Sequence, residues 1–163
     1  EGRTFQGCLY FGLMLTPNGP KVIEYNCRFG DPETQVVLPL LESDLMTVMQ
    51  ATTNGCLKDT EVKFADKHAC CVIMASNGYP AAYEKGYPLE IPQDIDSSVY
   101  VAGAAKKDGF LVTNGGRVLG ATAIAESLEC AIAQSYEMVK SIRFENAYYR
   151  NDIGQRALQA GRE

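Results

Sequence analysis

The chain has 163 residues, 46% of them hydrophobic and 21% charged, with a formal net charge of −5 at pH 7 and a pI near 5.0. That length can bury a sizeable core in an ordinary globular composition, and the acidic excess argues against broad nucleic-acid or anionic-membrane binding. No apolar run approaches the ~18 residues of a transmembrane helix, and the opening Glu1-Gly2-Arg3-Thr4 is no signal peptide, so a cytoplasmic protein is expected. The chain lacks an initiator methionine and runs straight into a strand, as a piece cut from a longer protein would.

In chain order, Gly7 to Thr16 is apolar nearly throughout and reads as a strand covered on both faces. Pro17-Asn18-Gly19 supplies a turn, and Lys21 to Cys27 returns as a second strand, so a hairpin is expected. Period-two alternation puts Val22, Glu24 and Asn26 on one face and Ile23, Tyr25 and Cys27 on the other. A carboxylate and a carboxamide two residues apart on a strand stand roughly 6 to 7 Å apart at the backbone, close enough for their oxygens to converge on a cation. The strand runs into Arg28, Gly30 and Asp31-Pro32-Glu33, which must leave the sheet because proline cannot donate to a ladder. Such a corner could be an ordinary salt-bridged turn. Read as a metal site, two oxygen ligands suit Mg²⁺ only when phosphates or water complete the shell, which implies a phosphate-bearing ligand.

The run from Glu33 to Leu41 predicts a short helix ending or kinking at Pro39. A second helix follows, with Ser43 as N-cap, Asp44 favouring the dipole, and Leu45, Val48, Met49 and Thr52 on one stripe; Asn54-Gly55 closes it. Cys56 to Lys67 is a polar linker. The second half reads as antiparallel β with one long helix. Strands are expected at Ala69–Ala75, Leu89–Ile91, Val99–Ala105, Phe110–Thr113 and Arg117–Ile124, with Asp108-Gly109 as a hairpin turn. The helix begins at Ser127 and turns Leu128, Ala131, Ile132, Ser135, Tyr136, Val139 and Ile142 to one face, and the tail folds back as a short helix. Gly115-Gly116 reads as a tight turn, since no GxGxxG or GxxxxGK[ST] spacing is present. Cys8, Cys27, Cys70, Cys71 and Cys130 lie in apolar patterns without a CxxC pair and read as small buried hydrophobes; His68 has no catalytic or zinc partners.

The stretch from Gly19 to Gln35, with Val22-Ile23-Glu24-Tyr25-Asn26-Cys27-Arg28-Phe29-Gly30-Asp31-Pro32-Glu33 at its centre, resembles the signature of the glycinamide ribonucleotide synthetases, or phosphoribosylamine–glycine ligases. The likeness continues in the same order through Leu41-Glu42-Ser43-Asp44-Leu45, Gly78-Tyr79-Pro80, Gly115 to Leu119 and Tyr149 to Gly154. It implies an α+β fold: the C-terminal portion of an ATP-grasp domain, an antiparallel sheet with helices, over residues 1–60. A small β-rich domain with one long helix would follow over 61–163.

The resemblance also implies a reaction, the ATP-dependent joining of glycine to 5-phosphoribosylamine in purine synthesis. Glycine's carboxylate attacks the γ-phosphate, and the ribosylamine nitrogen then displaces phosphate from the glycyl phosphate. By position, Glu24 and Asn26 would bind Mg²⁺ or Mn²⁺ on ATP, and Arg28 would also contact the nucleotide and stabilise the transferred phosphoryl group. Asp31 and Glu33 would be catalytic in orienting Arg28 or the amine substrate. The partner implied is the N-terminal part of the same enzyme, without which this piece is expected to be inactive.

The chain departs from the family pattern at Ala81 after Pro80 and at Val101-Ala102-Gly103-Ala104; at Leu13-Met14-Leu15, where many ATP-grasp enzymes carry another acidic ligand, it is similar to the synthetases in lacking one. The alternative is a non-catalytic packing or interaction module that keeps the C-terminal fold. A sister ATP-grasp enzyme of purine synthesis is disfavoured by Arg28-Phe29-Gly30-Asp31-Pro32-Glu33.

Overall fold

The computed structural model describes residues 2–160; Glu1 and residues 161–163, which the expected domain spans include, lie outside the described residues. The chain forms two compact units, residues 1–65 and 66–163. The segment following residue 60 belongs to the first unit. Leu41 bridges Phe64, and the backbone N–H groups of Glu42 and Ala65 donate to Lys63 and Leu40 carbonyls at 2.9 and 2.7 Å.

The first unit opens with the antiparallel ribbon of β1 (Tyr10–Thr16) and β2 (Gly19–Asn26). Pro17 and Asn18 form its tip, and the positive φ required there (+87°) falls on Gly19. The Thr16 hydroxyl accepts from Asn18 N–H at 3.2 Å and donates to the Gly19 carbonyl at 2.7 Å. The expected cover on both faces of β1 is absent. Leu13 is 50% exposed and Leu15 83%, because among the described residues β1 pairs only with β2 and no further strand extends this sheet.

A short helix α1 (Thr34–Val37) tightens into a 3-10 turn at Leu38–Leu40, with Pro39 early in that turn, where its missing N–H is least felt. In α2 (Leu45–Thr53) the N-cap is Asp44 rather than Ser43. Asp44 Oδ1 accepts from the Thr47 N–H at 2.7 Å and from the Thr47 hydroxyl at 2.8 Å. Ser43 is taken by the neighbouring segment, its hydroxyl accepting from Lys63 N–H at 2.8 Å. The predicted stripe Leu45, Val48, Met49 and Thr52 lines an apolar groove of about 530 Å³, together with Phe29, Leu41 and Phe64. Gly55, at φ +71°, ends the helix.

The second unit is a four-stranded antiparallel sheet in the order β4 (Val99–Val101), β7 (Arg117–Ala125), β3 (His68–Ser76), β8 (Ala147–Tyr148), with a separate hairpin of β5 (Ala104–Lys107) and β6 (Phe110–Thr113). Asp108 and Gly109 both take positive φ between the paired Lys107 and Phe110, as a two-residue primed turn demands. The run expected as one strand from Val99 to Ala105 breaks at Gly103. A Cβ there would run into Gly115 Cα and the Arg117 carbonyl, so the chain crosses backbone on backbone and β5 changes partner. Leu89–Ile91 is no strand; Pro88 and Glu90 make only isolated bridges, to Val112 and Arg143.

Helix α3 (Leu128–Ser141) is capped by Ser127, whose hydroxyl accepts from Cys130 N–H at 3.2 Å, and packs on β3 and β7. Its inner face is Ala131, Ile132, Ser135 and Val139, all buried, against Val72, Met74, Val118, Leu119 and Ala121. Each large apolar side chain buried in this way contributes about 1.5–3 kcal/mol. The tail carries the short α4 (Gln155–Ala160). Of the cysteines read as buried hydrophobes, only Cys70 is; Cys27 and Cys130 are exposed, and Cys8 and Cys71 half-buried, because apolar spacing does not reveal which face of a ribbon or helix is covered.

Candidate functional site

The face of β2 that carries Glu24 and Asn26 is made by a bulge. Back from the turn, each residue from Thr16 to Leu13 meets its partner from Gly19 to Val22 in simple register; the register then shifts between Gly12 and Leu13, leaving Ile23 as the extra residue. Val22 therefore pairs with Leu13, while Glu24 pairs with Gly12 and Asn26 with Tyr10. Cross-strand partners share a face, so Val22 leaves the face it was expected to share with Glu24. On the opposite face Phe11 and Tyr25 meet edge to face, ring centroids 5.1 Å apart.

Glu24 and Asn26 do converge: the Asn26 amide donates to Glu24 Oε1 at 3.1 Å. Across from them stand the two residues the bulge has brought there. Gly12 leaves room for the Glu24 side chain, since a Cβ at Gly12 would come within 3.0 Å of Glu24 Cγ. Tyr10 donates its hydroxyl to Glu33 Oε1 at 3.2 Å. Burial, the Glu33 hydrogen bond and the negative charges of Glu33 and Glu24 raise the Tyr10 phenol above its ordinary 10.0, so it stays a donor.

The chain after β2 folds back over this face. The Gly30 carbonyl accepts both the N–H of Thr34, at 3.2 Å, and its hydroxyl. The Glu33 carboxylate lies over the bare Cα of Gly30, where a Cβ would displace it. Asp31 accepts from Gln35 Nε2 at 2.8 Å. Arg28 is exposed, and its Nη1 donates to the Phe29 carbonyl at 2.9 Å.

Of the five residues singled out in the sequence, the structure thus joins Glu24 to Asn26 and draws Glu33 to Tyr10; it engages Arg28 and Asp31 with near neighbours in the chain. Tyr10 and Gly12 were not singled out. The signal for them is the bulge, which alternation alone does not reveal.

A hard divalent cation fits this donor set. One carboxylate and one carboxamide offer oxygen ligands of the kind Mg²⁺ and Mn²⁺ accept. Among the described residues, no group of three or more His, Cys, Asp or Glu could hold a metal alone. Two protein oxygens with the balance from phosphate oxygens is the arrangement these residues allow. No helix among the described residues is long and apolar enough to cross a membrane.

Comparison with known proteins gives these residues a context. Residues 1–34, which include Tyr10, Gly12 and all five candidates, match the family described as "Phosphoribosylglycinamide synthetase, ATP-grasp (A) domain". Residues 69–156 match "Phosphoribosylglycinamide synthetase, C domain". The chain is 48% identical over 154 residues to the phosphoribosylamine–glycine ligase of Caldanaerobacter subterraneus, covering 94% of this chain and 37% of that protein. It is 51% identical over 162 residues to the trifunctional purine biosynthetic protein adenosine-3 of Gallus gallus, covering 97% of this chain and 16% of that one. The crystal structure of phosphoribosylamine–glycine ligase from Thermotoga maritima superposes with a TM-score of 0.79 at 40% identity, over 89% of this chain and 36% of that one. The chain spans a little over a third of the length of the single-function ligases it matches. With an α+β fold, and with matches to both the A and C domain descriptions, the chain belongs to the phosphoribosylglycinamide synthetase family.

Proposed function

We propose that the chain is part of a phosphoribosylamine–glycine ligase, which joins glycine to 5-phosphoribosylamine at the expense of ATP, through a glycyl phosphate, in purine synthesis in the cytoplasm. The observation that carries the reading is the 48% identity to a ligase of that name over 94% of the chain, with Glu24, Asn26, Arg28, Asp31 and Glu33 inside the part matched to the A domain.

In this reading Glu24 and Asn26 are the protein's ligands for Mg²⁺ or Mn²⁺ on the ATP phosphates. The bound ion supplies charge neutralisation at the phosphates. Arg28 has guanidinium N–H donors beyond the one held by Phe29, and these stabilise the phosphoryl group as it passes from ATP to the glycine carboxylate. Glu33, held by Tyr10, and Asp31, held by Gln35, present carboxylate oxygens that orient the amine substrate. The exposed apolar residues of the ribbon, Phe11, Leu13 and Met14 among them, are surface for the rest of the ligase to cover. Glycine and the phosphoribosylamine bind in the assembled enzyme.

The test is ligation of glycine by the full-length enzyme, with Glu24→Gln and Asn26→Ala beside the parent. Loss of about 10²–10³-fold in kcat/KM in both variants is expected, the size seen when a preorganised electrostatic group is removed. Full activity in both would remove the pair from the mechanism. An inactive parent would favour a non-catalytic packing module.

A further inference from the structure

Among the described residues, Tyr10 is the one side chain of β1 that reaches the chain beyond the ribbon through its functional group. Its hydroxyl donates to Glu33 Oε1 at 3.2 Å, 23 residues away in sequence, while its backbone is paired with Asn26. The bulge at Ile23 creates this placement: it turns Tyr10 toward the Glu24–Asn26 face, where the charges of Glu24 and Glu33 both act on the phenol. Glu33 has little else to fix it. It stands at the cap of the four-residue α1, where its side chain makes no capping hydrogen bond, and its carboxylate is folded over the bare Cα of Gly30.

We infer that Tyr10 is a positioning residue of the ligase site, its hydroxyl holding the Glu33 carboxylate against the face that carries Glu24 and Asn26. This rests on the reading of that face as the metal-ATP site. Tyr10 acts through Glu33 and need not touch substrate. Without the hydroxyl, Glu33 keeps its charge and its place in the chain but loses the hydrogen bond that selects one rotamer, so the enzyme must order that side chain anew in each turnover.

The experiment uses the full-length enzyme with Tyr10→Phe, Glu33→Asp, the double variant, and Glu24→Gln as reference. Tyr10→Phe removes one oxygen and leaves the ring packing. It is expected to lower kcat/KM by about five- to tenfold, the worth of one ordinary intramolecular hydrogen bond. Glu33→Asp shortens the acid beyond the reach of the hydroxyl, so Tyr10→Phe should cost less than about twofold in that background, a coupling that independent effects would not show. An unchanged kcat/KM in Tyr10→Phe, or the same fold loss in both backgrounds, would overturn the assignment. Glu24→Gln tells the two failures apart: if it too is fully active, the reading of the face falls, whereas if it collapses while Tyr10→Phe is unaffected, only the role of Tyr10 falls.

Discussion

Gly12 and Glu24 face each other across the β1–β2 ribbon so closely that a methyl group on Gly12 would stand 3.0 Å from Glu24 Cγ, with the Glu24 backbone N at 3.6 Å. The side chain must give way, since the backbone of a paired strand cannot. Gly12→Ala is therefore expected to turn Glu24 from its place beside Asn26. In the full-length ligase this should raise the Mn²⁺ concentration needed for half-maximal rate and lower kcat/KM by about tenfold or more, as misplacement of a site group does. Gly12 has no positive φ, so alanine fits the backbone, and the thermal midpoint should hold or rise slightly. Unchanged kinetics would show that Glu24 absorbs the methyl group by a small shift without leaving Asn26.

Ser135 makes a buried tie in the other unit. Its hydroxyl is inaccessible to solvent, accepts from Ala123 N–H at 3.2 Å and donates to the Cys70 carbonyl at 2.7 Å. Ala123 and Cys70 are themselves partners across β7 and β3, so one side chain of α3 clamps both central strands. Ser135→Ala leaves an N–H and a carbonyl short of a partner in a dry core. A loss of about 1–3 kcal/mol is expected, read as a lower urea midpoint at constant slope. No shift would mean that the two strands close directly on each other when the hydroxyl is removed.

What the sequence made legible was local chemistry. Pro17-Asn18-Gly19 and Asp108-Gly109 specify their turns through φ preferences, and the period of Leu128 to Ile142 specifies the buried face of α3. What it hid were choices settled by contacts distant in sequence. Ser43 and Asp44 are equally good caps, and Lys63, twenty residues on, decides between them by taking the Ser43 hydroxyl. Gly103 looks like one more residue of an alternating strand until Gly115 is packed against it. In the candidate site, alternation correctly put Glu24 beside Asn26, but the bulge at Ile23 decided what faces them, exchanging the Phe11 ring for Gly12 and Tyr10. The apolar run of β1 reads as a covered strand, and nothing local in it tells that β2 is its only strand partner among the described residues.

The cysteines should divide by accessibility. Burial pushes the Cys70 thiol above its ordinary 9.0, only partly offset by its hydrogen bond with Ser135, so little thiolate forms there at neutral pH. Cys27, Cys56 and Cys130 are exposed. Alkylation of the native chain at pH 8, mapped by peptide mass, should label these three first and Cys70 only on unfolding. Labelling of Cys70 at the rate of Cys130 would mean that β3 opens far more often than a strand buried between two neighbours should.

Asp44 gives the first unit an acid-sensitive helix end. The Thr47 N–H and hydroxyl both donate to its carboxylate and hold it below its ordinary 3.8. A carboxyl whose folded value is depressed contributes stability above the unfolded value and loses it as pH falls through the folded one. The contribution should therefore be complete above about pH 5 and fade below pH 4, as protonation removes the charge that the N-terminal dipole of α2 favours. Asp44→Asn keeps a side-chain oxygen for Thr47 but has no charge to lose. Parent and variant should differ in unfolding midpoint at pH 6, with the parent the more stable, and the difference should narrow as the pH falls below 4 toward the depressed folded value. A difference that does not narrow at all below pH 4 would assign the effect to cap geometry and remove the charge of Asp44 from the account.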